Sequence, residues 1–206
     1  MAQNVCRGLG PGNLVRLVFF STIDVYGPCP VLPVTESTPA SPADSYAAGK
    51  WEAEEFLRRE FPADRLLVLR LPGVFGIPGD MDSAIAKILR SLKKGDSPLL
   101  TGGGQIIRDY LWAGDLLRAV RHFLAKGVTG TWNLVSGESR TMLAMAQACA
   151  QALGTRISVQ TDPRPSPRDY DLRFNITRLK PFLPIPWPTP LEISLSRFLS
   201  ESQSTP

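Results

Sequence analysis

Histidine is nearly absent from the 206-residue chain: His122 is the single one. A Ser-His-Asp triad or a histidine-rich metal site would have to use it. It sits in Arg121-His122-Phe123-Leu124, inside a helical pattern, with no cysteine nearby, so it reads as a helix-surface residue and no metal site is expected. Three scattered cysteines (Cys6, Cys29, Cys149) make no disulfide framework and point to a reducing, cytoplasmic setting. No run of about 18 uninterrupted apolar residues exists, so no membrane span is expected. The first residues lack the basic region and apolar run of a secretory signal. Acidic residues are in slight deficit, 19 against 23 Lys and Arg, for a net charge of +4. The basic excess is diffuse; even Arg156–Lys180 holds six basic and three acidic residues. That density argues against a nucleic-acid face and suits a small anion such as a diphosphate.

What the chain does contain is an ordinary globular balance, 43% apolar and 20% charged, enough to bury a core. Proline is abundant, at 19 residues, and eight of them fall between Pro163 and Pro190. Leu172, Phe174, Leu179, Phe182, Leu183, Ile185 and Trp187 are threaded among these prolines, so the segment reads as ordered, extended surface chain rather than disorder.

Leu14–Phe20 is a short apolar run that reads as a strand buried on both faces, as in a parallel sheet. A loop rich in Pro and Ser follows. Ser41-Pro42 then reads as N-cap and first turn of a helix running to about Glu60. Leu66–Leu71 is a second buried strand. Strand, helix, strand is a βαβ unit, so the class is α/β. Further helices read at Ser83–Lys94, Asp115–Lys126 and Met142–Leu153, the last two ending at Gly127 and Gly154. Thr189-Pro190-Leu191-Glu192 reads as a capping box opening a last helix to about Leu199. Short strands fit at Pro98–Leu100, Ile106–Leu111, Trp132–Val135 and Ile157–Gln160.

The chemistry-bearing region is Ser21-Thr22-Ile23-Asp24-Val25-Tyr26-Gly27, followed by Tyr46-Ala47-Ala48-Gly49-Lys50. The first follows a parallel-type strand, where open α/β sheets place their ligands. The second puts Tyr46 and Lys50 at i and i+4, neighbours on one helix face. An ammonium beside a phenol favours the phenolate, and a tyrosine so tuned can move a proton near neutral pH. The Thr22 hydroxyl can hold the substrate oxygen whose proton moves. That trio suits hydride transfer at a carbinol, with a nicotinamide taking the hydride.

Tyr-x-x-x-Lys alone is a weak signal; its neighbours make it specific. Ser-Thr-x-x-Val-Tyr-Gly, the acidic Thr35-Glu36-x-x-Pro39 loop and Tyr46-x-x-x-Lys50 resemble the extended short-chain dehydrogenase/reductases, the NAD-dependent epimerase/dehydratase group. Leu69–Gly76 resembles the family segment after the next strand. Arg108-Asp109-Tyr110 with Asp115-Leu116 resembles its Arg-Asp-Tyr…Asp-Leu element, and Trp132–Gly137 its Asn-Leu-x-x-Gly turn. Order and spacing agree from about Leu14 to Leu199. The resemblance implies Tyr46 as the proton-transferring residue, Thr22 as its hydroxyl partner, and Lys50 on the nicotinamide ribose. The backbone near Pro72 and Val74 would face the nicotinamide of NAD or NADP. Substrate contacts would come from Thr22, Asp24 and Arg108, which would hold a nucleotide diphosphate, with Arg164 or Arg168 as a second phosphate contact. Read locally, the alternative for Arg108-Asp109 is an ion pair beside a strand, and Asp115 is at least as well read as a helix cap.

Two departures qualify the resemblance. The family opens with a strand, Gly-x-x-Gly-x-x-Gly and a helix that bind the cofactor pyrophosphate. Here Gly8-Leu9-Gly10-Pro11-Gly12 precedes a strand instead of following one. The family's dehydratases carry an acidic pair after the Thr, where this chain has Ile23 and Asp24; an Ile cannot protonate a leaving hydroxyl, so sugar dehydration is disfavoured. Gly73 stands where the family usually has Asn.

The expectation is therefore a partial Rossmann-like parallel sheet with a smaller mixed α/β substrate-binding part. Residues 1–78 would be the C-terminal portion of the dinucleotide-binding domain, and 79–206 the substrate-binding part, with some elements packing back on the sheet. The implied activity is NAD(P)-dependent epimerisation or reduction of a nucleotide-sugar or sugar-like carbinol. The alternative is a truncated, non-catalytic family remnant that binds a nucleotide-sugar-like ligand or a protein partner. Neither nucleic acid nor membrane is an expected partner, and a homodimer stays open.

One outcome follows from the glycine pattern. Losing pyrophosphate contacts removes charge-assisted hydrogen bonds of about 1.5–3 kcal/mol each. Two or three of them amount to roughly a hundredfold or more in affinity. Calorimetry at micromolar protein is expected to detect no NAD or NADP binding by the 206-residue chain; micromolar affinity would relocate the dinucleotide site.

Overall fold

The computed structural model describes residues 16–77, 80, 82–156, 158–162 and 169–201. Strand β1 (Leu17–Thr22) leads through a 3-10 turn (Ile23–Tyr26) and a long loop to helix α1 (Ser45–Glu60). Strand β2 (Leu66–Leu71) and the short β3 (Gly73–Phe75) follow, then α2 (Ala84–Lys93), β4 (Leu99–Thr101), β5 (Ile107–Arg108) and β6 (Tyr110–Trp112). The rest is α3 (Ala113–Ala125), β7 (Gly130–Asn133), β8 (Arg140–Thr141), α4 (Met142–Ala152), β9 (Gln160–Asp162) and α5 (Leu191–Glu201).

Three strands form the main parallel sheet in the order β1-β2-β7. The register pairs Leu17 with Leu66 and Thr22 with Leu71 on one side of β2, and Arg70 with Asn133 on the other. Strand β2 is central and apolar, with Leu66–Leu69 all buried, as a strand covered on both faces should be. Two parallel pairs, β3-β6 and β4-β9, and one antiparallel pair, β5-β8, lie outside this sheet. The architecture is α/β, as the alternation of apolar runs and amphipathic helices implies.

Burial concentrates in two main places. One core joins Leu67 and Leu69 of β2 to Phe123 of α3 and to Leu134, Leu172 and Phe174. The Trp132 and Phe182 rings meet there, centroids 4.9 Å apart. The second core packs Ile85 and Leu89 of α2 against Met145 and Cys149 of α4 and Leu195 of α5. The proline-rich segment supplies Leu172, Phe174, Leu179 and Leu183 to the first core, whereas Ile185 stays 95% exposed.

Several boundaries differ from expectation for identifiable reasons. Leu14 and Val15 lie outside the described residues, and β1 is not buried on both faces, with Phe20 45% exposed; among the described residues it is an edge of the main sheet. Helix α1 starts at Ser45 because the Asp44 carboxylate caps it, accepting from Ala47 N at 2.8 Å. Ser41 is instead tied to the 3-10 turn after β1, its N–H donating to Val25 O. Gly27 sits at φ +58°, and a Cβ there would come within 1.9 Å of Ser41 O, so the turn admits only glycine. Ile106–Leu111 is not one strand: β5 and β6 pair with different partners, because the buried Asp109 between them turns to bind another loop. Helix α3 begins two residues earlier than read, at Ala113, which places Asp115 inside its first turn rather than at its cap. Asp115 accepts from Thr189 N and Oγ1 and from Arg118, so the Thr189 hydroxyl, read as a cap for α5, joins α5 to α3. The remaining strands shift by one to three residues: β4 and β9 start later than read, and β7 starts and ends earlier. His122 is half-buried on α3.

An edge strand of sequence LVFFST, without Pro or Lys to blunt it, invites pairing with another chain. The purified chain is expected to self-associate, and Phe20→Ser to shift sedimentation velocity profiles toward monomer. A wild-type chain that sediments as a monomer at all concentrations would show the edge to be protected.

Candidate active site

Position in the site starts with how β1 ends. Thr22 is the N-cap of the 3-10 turn: its hydroxyl accepts from Asp24 N at 3.2 Å and lies 3.3 Å from Asp24 Oδ2. Alternation along the strand sends Ser21 to the opposite side, where its hydroxyl donates to Glu54 of α1 at 2.5 Å. Along α1, Tyr46, Lys50 and Glu54 fall at i, i+4 and i+8, one stripe facing β1. Lys50 donates its ammonium to Phe20 O at 2.8 Å and stands 5.9 Å from the Tyr46 ring centroid. Tyr46 itself is half exposed at 52%.

A cleft of about 780 Å³ opens at this end of the sheet. Thr22, Asp24 and Tyr46 line it, together with Pro72, Gly73 and Val74, the chain leaving β2, and Arg108. Asp82 and Ser83, at the start of α2, and Tyr110 complete the rim. The structure thus gathers Thr22, Asp24, Tyr46, Pro72, Val74 and Arg108 around one space, while Lys50, near the Tyr46 ring, is not part of the cleft lining. Arg164 and Arg168 lie outside the described residues. Glu36 is away from the cleft; it accepts from Asn133 N at 3.0 Å and faces Arg178, whose guanidinium lies over Trp132. Gly73 has no room to regain a side chain freely, since a Cβ would meet the Tyr110 ring at 3.0 Å.

Arg108 and Asp109 do not behave as a local ion pair. Arg108 lies over the Tyr170 ring, 4.4 Å to its centroid, and donates to the Tyr170 carbonyl. Asp109, fully buried, accepts from Ser136 N at 2.8 Å, Ser136 Oγ at 3.0 Å and Gly137 N at 3.0 Å. Burial pushes its carboxyl up to about 6 despite these donors.

Beneath the cleft lies a polar network that motif reading passes over. Glu54, with no exposure, takes Arg70 Nη2 at 2.7 Å and Nε at 3.0 Å. Arg70 Nη1 donates to Tyr26 Oη at 2.7 Å, and Tyr26 donates to Asn133 Oδ1 at 2.7 Å. Burial raises the Tyr26 phenol above its ordinary value, outweighing Arg70, so this tyrosine is a neutral structural link. The signal was present: Arg70 is a lone charge in the apolar run Leu66–Leu71, and such a charge needs a partner.

The model of the NAD dependent epimerase/dehydratase family matches residues 1–134. The chain belongs to that family. Among curated relatives, a probable UDP-arabinose 4-epimerase of Oryza sativa subsp. japonica is 28% identical over 193 residues, covering 81% of this chain and 46% of the rice protein. This chain thus spans about half the length of such relatives. Among solved structures, the UDP-N-acetylglucosamine 4-epimerase of Methanobrevibacter ruminantium M1, in complex with UDP-N-acetylmuramic acid, superposes with TM-score 0.86 at 25% identity, over 98% of this chain and 67% of that one. The Thermus thermophilus UDP-glucose 4-epimerase, solved with NAD, shares the fold at TM-score 0.82 and 21% identity, over 100% and 69% of the two chains. Among the described residues, no helix is long and apolar enough to cross a membrane, and no group of His, Cys, Asp and Glu is arranged to hold a metal ion.

The Asp109 carboxyl generates a pH signature in this family member. Its folded value lies above the ordinary value of 3.8, so the folded state holds the proton more tightly than the unfolded chain. The stability it contributes is complete below about pH 4 and is lost as pH rises through about 6, a change of about 3 kcal/mol. Urea unfolding between about pH 4 and pH 7 should show wild type losing that amount relative to Asp109→Asn. Parallel pH profiles would contradict a desolvated carboxyl.

Proposed function

We propose that this chain carries the acid–base and substrate side of an NAD(P)-dependent epimerase or reductase acting on a nucleotide-sugar or sugar-like carbinol. The observation that supports this reading is the convergence of Thr22, Tyr46 and Arg108 on one cleft, with Lys50 one helical turn from Tyr46. The residues present fit the nicotinamide end of such a cofactor: the Pro72–Val74 backbone offers a wall, and Lys50 keeps N–H donors beyond the one spent on Phe20 O. When bound, NAD or NADP supplies the acceptor and donor of a hydride.

The chain's own residues supply the rest. Thr22 holds the carbinol oxygen by its hydroxyl. Tyr46 takes the proton from that oxygen and returns it. The Lys50 ammonium favours the phenolate that does so. Arg108 offers a planar guanidinium to a nucleotide diphosphate, with Arg164 as the proposed second contact. Ile23, buried and uncharged beside Thr22, supports redox or epimerisation over dehydration. The names of the relatives, UDP-sugar 4-epimerases among them, support the same substrate class.

Isothermal titration of the chain with UDP-glucose and, separately, with uridine tests the diphosphate assignment. Arg108→Ala should weaken UDP-glucose about tenfold or more, the loss of one charge-assisted hydrogen bond, and leave uridine unchanged. Equal loss for both ligands, or for neither, overturns it.

A further inference from the structure

We propose that Ser21 and Glu54 are positioning residues for the acid–base pair, holding the Tyr46–Lys50 face of α1 in fixed register against the end of β1 that carries Thr22. The proposal deepens, and rests on, the reading of Tyr46 as the acid–base group.

Glu54 has no exposure, and an ionised carboxylate there needs compensation. Arg70 supplies it, with Nη2 and Nε on the two carboxylate oxygens, and the Arg58 guanidinium adds a second ion pair at Oε2. The Ser21 hydroxyl is therefore not required to balance charge. What it adds is direction: it joins Glu54 Oε1 at 2.5 Å to the residue immediately before Thr22. One turn toward the N-terminus of α1, Lys50 joins the carbonyl of Phe20. Two consecutive residues of β1 are thus tied to two consecutive turns of one helix stripe; Thr22 follows Ser21 on the strand, and Tyr46 lies one turn before Lys50 on the helix.

The far side of Thr22 is fixed by the same ion pair. Arg70 reaches Tyr26, the last residue of the 3-10 turn that Thr22 caps, and Tyr26 reaches Asn133 of β7. Thr22 is held between Ser21 and Tyr26, both bonded to groups that meet at Arg70. A helix free to slide or roll by a fraction of an ångström would vary the Lys50–Tyr46 separation directly; the Ser21–Glu54 bond removes that freedom.

The test reads Tyr46 itself. The chain is prepared with tyrosine carrying a carbon-13 label at Cζ, and the Tyr46 phenol is titrated by NMR, assigned through Tyr46→Phe. Lys50→Met comes first and tests the underlying reading: the ionisation constant should fall about tenfold as the neighbouring charge is lost. Ser21→Ala, which leaves the Glu54–Arg70 pair in place, should lower it about threefold while the chain still melts cooperatively, and Ser21→Thr, which keeps a hydroxyl, should restore it. Glu54→Gln should act in the same direction as Ser21→Ala. A Lys50→Met effect with no change in a folded Ser21→Ala overturns the positioning role alone. No Lys50→Met effect overturns both readings. Should Ser21→Ala fail to fold while Ser21→Thr folds with altered Tyr46 titration, the hydroxyl serves stability only and the proposal falls.

Discussion

A carboxylate sealed from water must be neutralised where it stands, and Glu54 is neutralised by Arg70, with Arg58 as a second, more exposed partner. That pair is the constraint from which the sheet end takes its shape. Arg70 is on the central strand β2, Glu54 on α1, Ser21 on β1, Tyr26 on the turn after β1, and Asn133 on β7. Five segments distant in sequence are joined through one guanidinium and one carboxylate. Apolar side chains could pack these segments more cheaply, since buried ion pairs often stabilise no better than hydrophobic replacements. A hydrophobic contact, however, tolerates sliding, whereas a bidentate pair fixes register.

This explains how the helix keeps its place at the end of the sheet. Among the described residues, three strands give few contacts with which to define where a helix sits along them. The polar network supplies that definition at the point where the strands stop and Thr22, Tyr46 and the Pro72–Val74 chain face the cleft. Asp109 does the equivalent for the opposite wall. It turns the chain between β5 and β6 toward Ser136 and Gly137, which leaves Arg108 at the cleft with its plane against Tyr170.

Legibility in the sequence followed the range of the interaction. The strand Leu66–Leu71 and the helices at 84–93 and 142–152 were readable because period and caps are local. The residues around the cleft were readable because their motifs lie in short segments. The partial exposure of β1's faces was not, because an apolar strand looks the same whether or not other elements cover it. The start of α1 was misplaced because Ser41-Pro42 and Asp44 both carry capping chemistry, and only the tertiary bond from Ser41 N to Val25 O decides between them. The division of Ile106–Leu111 depends on a partner 27 residues away, Ser136. Glu54 and Arg70 each showed half of a signal, but their pairing across 16 residues is visible only in three dimensions.

The two apolar cores meet at the cleft without merging. Ile23 of the first and Ile85 of the second both line it. Thr22 adjoins Ile23, while Asp82 and Ser83 lead into the α2 residues of the second core. Substitutions within the α2–α4–α5 core can therefore reshape one part of the cleft while the network of Ser21, Glu54 and Arg70 beside Thr22 stays as it is, so the two parts of the cleft are free to diverge independently in this scaffold.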